Sequence, residues 1–125
     1  MLLEAIALLV EQNALGTRGI DLFEGKLPAS PDNAIAIFEY AGEPQMVNQP
    51  IEFPSLQLLV RNTSYQAGRA KIENIKNLLH GRHEELLSNV RYLFVSVKQN
   101  PYLLQRDEND RVIFVCNFSV IKELG

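Results

Sequence analysis

Leu2, Leu3, Ile6, Leu9 and Val10 recur at intervals of three and four residues, the spacing that gathers side chains on one face of a helix. Gly16 follows where helices commonly stop, so the chain is expected to open with an amphipathic helix. A second apolar stripe runs through Tyr65, Ile72, Ile75, Leu78 and Leu79. Asn62, Thr63 and Ser64 offer capping oxygens before it and Gly81 ends it, which predicts the clearest helix of the chain over residues 65–80.

Elsewhere the pattern is that of strands. Residues 20–24 suit a short extended piece, and residues 34–40, AIAIFEY, combine aromatic and β-branched side chains on a run too short for a typical helix. Residues 55–61, SLQLLVR, and 90–99, VRYLFVSVKQ, read the same way, while residues 82–89 read as a polar connection and Pro101 interrupts before 102–105. The final strand, RVIFVCNFSVI, is apolar on both faces over much of its length, which places it inside a sheet covered on both sides by a helix or a neighbouring subunit. The expected order α-β-β-β-α-β-β describes an α+β fold: an antiparallel or mixed sheet of about four to five strands with two helices packed on it, forming one domain over residues 1–125.

Residues 41–54, AGEPQMVNQPIEFP, break this pattern. Gly42, Pro44, Pro50 and Pro54 exclude a regular helix, because each proline removes a backbone donor and restricts its predecessor. The segment is a long loop or a β-hairpin arm that stands off the sheet. Gln45, Met46, Val47, Ile51 and Phe53 lie among the prolines, where they either form an interface or fold back onto the domain.

Composition narrows the functional classes. A chain of 125 residues buries about two-thirds of its unfolded surface, and it needs neither disulfide nor metal to do so. No stretch approaches the ~20 apolar residues of a membrane span. The N-terminus lacks a basic leader and carries Glu4 and Glu11, so it reads as a helix rather than a signal peptide, and the chain is expected to stay in the cytoplasm or in something assembled there. A single cysteine, Cys116, excludes an internal disulfide and a multi-cysteine zinc site. Net charge of −3 and a pI near 5.4 argue against broad nucleic-acid binding. The one basic stripe, Arg61, Arg69, Lys71, Lys76 and Arg82, is diluted by Glu73, Glu84 and Glu85.

Candidate chemistry is sparse. HGRHEE places His80 and His83 beside two glutamates, but Gly81 breaks the helix that a zinc pair would need, and helix capping by His80 accounts for it. Cys116 alternates with Phe114 and Phe118 and reads as a small buried hydrophobe. GTRG at residues 16–19 has the spacing of an RNA-clamping loop, yet only one helix flanks it. DENDR at 107–111 begins like a calcium loop without its central glycine and is expected to be a hairpin turn. Glu39, Glu43 and Glu52 lie on or beside the arm as solvated carboxylates. No catalytic residue, metal or cofactor is expected.

Four strings carry a resemblance: the N-terminal helix, DNAIAIFEY at 32–40, SLQLLVRNTSYQAGRAKIENIKNLL at 55–79, and PYLLQRDENDRVIFVCNFSV at 101–120. Together they span most of the chain and resemble minor capsid proteins of tailed bacteriophages, in particular the tail terminator and head–tail joining proteins of long-tailed phages. The resemblance implies a ring, commonly hexameric, that caps the tail tube and offers its other face to the head connector or a head-completion protein. Its partners would be copies of itself, the tail-tube protein and the connector, with DNA only passing through the lumen and no membrane involved. On this reading Gln45, Met46, Val47, Ile51 and Phe53 supply one protein interface, and Gln105, Arg106, Asp107 and Arg111 reach a neck partner. Another neck or head-completion protein shares these features, and an RNA-binding α+β module, resting on GTRG with Tyr92 and Phe94, is the alternative from a different class.

Overall fold

The computed structural model describes residues 2–124. In chain order the elements are α1 (Leu2–Gln12), β1 (Leu22–Glu24), β2 (Ala34–Glu43), β3 (Ile51–Asn62), α2 (Tyr65–Leu79), β4 (His83–Leu87), β5 (Val90–Val97), β6 (Tyr102–Arg106) and β7 (Val112–Glu123). One mixed sheet holds all the strands in the order β1-β2-β3-β7-β5-β4, with β6 beside β7. Among the strand pairs of the described residues only β1–β2 is parallel.

The sheet has seven strands rather than four to five. The two missed strands are β4, HEELL, and β6, YLLQR. Both lie at open edges of the sheet, where no second face has to be buried and no apolar alternation is required. The expected strand at 34–40 also extends to Glu43, and that at 55–61 begins at Ile51.

β7 organises the molecule. It pairs with β3 over nearly its whole length on one side, and with β5 and β6 in turn on the other. Phe114, Cys116, Phe118 and Val120 face inward with Leu56, Leu58 and Val60 of β3, joining Ile6 and Val10 of α1 and Ile72, Ile75 and Leu79 of α2 in one buried cluster. At roughly 25 cal/mol per Å2 of buried apolar surface, each large side chain in that cluster contributes about 2 kcal/mol. Ile113 and Val115 of β7 and Ala34 and Ala36 of β2 are buried outside the cluster, on the opposite face. The doubly apolar pattern of β7 thus reflects its central place.

The helices take their predicted positions. Ser64 Oγ accepts from Ala67 N at 3.2 Å to cap α2, and Asn62 Oδ1 accepts from Ser64 N at 2.9 Å. A cap of this kind is worth about 1 kcal/mol. Gly68 lets α2 approach the sheet: a Cβ there would sit 3.0 Å from the Phe114 ring.

Candidate assembly surfaces

The arm is a hairpin whose base belongs to the sheet. After the Tyr40↔Ser55 pair the β2–β3 ladder is irregular, and it resumes at Glu43↔Phe53. Gly42 lies inside the irregularity, where a Cβ would fall 1.8 Å from the Phe53 carbonyl oxygen. On the other side β3 follows β7 as far as Ile51↔Glu123, and Leu124 N donates to Pro50 O at 3.0 Å. Only residues 44–50 project.

The five arm residues singled out in the sequence are therefore divided. Ile51 and Phe53 are half-buried in β3, whereas Gln45, Met46 and Val47 lie on the exposed tip. Val47 is 97% exposed, leaving an apolar side chain with almost no cover from its own chain.

Beneath the arm is an open cleft of about 650 Å3 whose lining includes Glu39, Glu43, Glu52 and Lys122. Lys122 continues the inward row of β7 and is buried. Its ammonium pairs with Glu52, donates to the Glu123 carbonyl oxygen at 3.2 Å, and lies 5.9 Å from the centre of the Tyr92 ring. The Tyr92 hydroxyl is pushed up to about 12, first by burial and then by the negative fields of Glu52 and Glu39. Three carboxylates against one ammonium leave the cleft net negative. This lysine was missed in the sequence, although its place two residues after Val120 put it in phase with the core row.

The second predicted surface is the β6–β7 turn. Asp107 Oδ1 accepts from Asn109 N and Arg111 N, each at 2.9 Å, and Oδ2 accepts from Arg111 Nε at 2.8 Å. These bonds, led by the backbone N–H of Arg111, hold the Asp107 carboxyl below its ordinary value. Arg111 also donates to Ala29 O at 2.7 Å and to Asp32 Oδ1 at 3.2 Å. Beside it, buried Arg61 donates to Asp32 O at 3.1 Å and Pro31 O at 2.6 Å. Burial, and then the charge of Arg111, lower the Arg61 pKa. The two arginines tie the loop before β2 to the sheet. Asp107 and Arg111 are thus engaged within the turn, and Gln105 and Arg106 are its exposed members.

These surfaces lie at opposite ends of the β3–β7 ladder, which runs from Ile51↔Glu123 at the arm to Asn62↔Val112 at the turn. At about 3.4 Å per residue the ladder separates them by roughly 37 Å.

The sequence matches the family described as bacteriophage tail terminator protein over residues 9–124. The chain belongs to that family. Its function is that of a structural phage tail terminator protein. The fold is similar to that of a chain in a particle described as the virion of a native gene transfer agent, with a TM-score of 0.64 and 15% identity over 94% of this chain and 84% of the other. No curated protein matches the sequence.

The other sequence motifs of this tail terminator serve local structure. His80 caps α2 and its Nδ1 accepts from Val97 N at 3.0 Å, while His83 lies in β4 with Nδ1 3.0 Å from Gly81 O. GTRG lies between α1 and β1, where Arg18 pairs with Glu24 at 2.8 Å. Cys116 is fully buried in β7, and burial pushes its thiol up to about 11. Among the described residues no three His, Cys, Asp or Glu side chains are grouped to hold a metal.

Proposed function

We propose that the protein closes into a ring, hexameric as the resemblance implies, that caps the completed tail tube and presents its other face to the head connector or head-completion protein. The observation that carries this reading is the placement of two exposed surfaces at opposite ends of one long strand pair, one of them an apolar hairpin tip. A ring requires two different complementary patches on each protomer, because a contact between unlike surfaces repeats until rotation closes it. The tip, with Gln45, Met46 and Val47 above Ile51 and Phe53, supplies one of these two patches for the contact between copies. The turn, held in place by Asp107 and Arg111, meets the neck partner.

The ring works without catalytic, metal or cofactor chemistry, as a component of the virion at the head–tail junction assembled in the host cytoplasm. DNA passes through its lumen. The net charge of −3 suits this passage, since a basic lining would hold the phosphates it must release. Replacing Met46 and Val47 together by Asp tests the assignment. The folded monomer should persist while ring formation and attachment to tails are lost; unchanged assembly would remove the tip from the interface.

A further inference from the structure

The sheet has two unfilled places, at diagonally opposite corners. β1 accompanies β2 only as far as Glu24↔Ile37, with Gly25 N donating to Ile37 O at 2.8 Å, so residues 38–43 of β2 have no strand on that side. At the far side β5 and β6 lie end to end along β7, but β4 continues only the β5 half, so β6 has no strand beyond it. The registers put β6 beside Val112 to Val115, at the turn end, and the free half of β2 at the arm end.

Each corner leaves a row of backbone donors and acceptors without a strand partner, the template on which another strand adds. Their side chains are complementary. All of β6 is exposed, including Tyr102, Leu103 and Leu104, and its one charge is Arg106, paired only with the outlying Asp110 at 3.3 Å. The free half of β2 carries Glu39 and Glu43, neither of which makes a salt bridge among the described residues. The lengths also agree, five residues against six.

We infer that neighbouring copies join edge to edge, β6 of one adding as a strand beside residues 38–43 of β2 in the next, with Arg106 turned to the Glu39 and Glu43 edge of that copy and the neck partner met by the turn beyond it, residues 107–111. The inference rests on the ring reading and gives it a specific contact: one sheet continues from copy to copy, and the unlike corners make the contact directional. The arm tip projects beside this seam, because residues 38–43 lead directly into it.

The test uses the full chain, alone and bound to tails, with Arg106→Glu, Glu43→Arg and the double variant. Each single reversal should raise the concentration needed for assembly about tenfold, and the double should restore most of it. Both positions are exposed, and circular dichroism checks that each monomer is folded. Leu104→Cys with Ala41→Cys should in addition give a disulfide-linked ladder of copies that neither single cysteine gives, buried Cys116 taking no part. Rings that form equally well in every charge variant and give no ladder overturn the edge pairing while leaving the ring intact. A wild-type chain that stays monomeric even on tails overturns both.

Discussion

Gly42 lies so close to the Phe53 carbonyl oxygen that a Cβ at position 42 would come within 1.8 Å of it. The arm depends on this contact, because the irregularity around Gly42 is where the β2–β3 ladder changes register before the tip. Gly42→Ala must open the ladder there. Urea unfolding should show a loss of roughly 1–3 kcal/mol, the ordinary range for forcing a group into filled space. The arm's contacts should weaken as well, so tail attachment should fall in step.

The Lys122–Glu52 pair is asymmetric, and its two halves should behave differently when removed. The Lys122 side chain is 4% exposed and that of Glu52 is 32% exposed. Glu52→Ala leaves a buried ammonium without its counter-charge and should cost about 3 kcal/mol. Lys122→Met leaves a carboxylate that water already reaches, keeps the packing over Tyr92, and should cost about 1 kcal/mol. Equal losses in chemical denaturation would contradict the account of this cleft.

Alkaline titration reads the same region through Tyr92. Its folded value of about 12 lies above the ordinary 10.0, so the neutral hydroxyl is favoured in the folded state. The stabilisation is fully present below pH 10 and is lost as pH rises from there through the folded value, because the unfolded chain releases its proton first. Tyr92→Phe should flatten this fall, which thermal melts across that window would show.

The two helices and the central strands were legible because burial imposes a period on them. Ile72, Ile75 and Leu79 must share a helix face, and Phe114, Cys116 and Phe118 must alternate into the core. Nothing imposes a period on β6, whose five residues are all exposed, or on β4, whose glutamates pair with Arg82 and Arg91 rather than with a core. The arm was obscured by its prolines. Pro54 stands inside β3, but it has no register partner on β2 or β7, so its missing donor falls in a gap shared by both ladders. The sequence left Met46 and Val47 open between an interface and folding back onto the domain, and the exposure of Val47 emerged only with the fold. Lys122 stood in phase with the core row, but its charge argued for solvent until β7 placed it against Tyr92.

Assembly is the most direct measure of the central claim. Light scattering on the purified protein, with and without the tail-tube protein, should give the mass of a closed oligomer, either free or formed on the tube. A chain that remains monomeric and indifferent to the tube would contradict the ring.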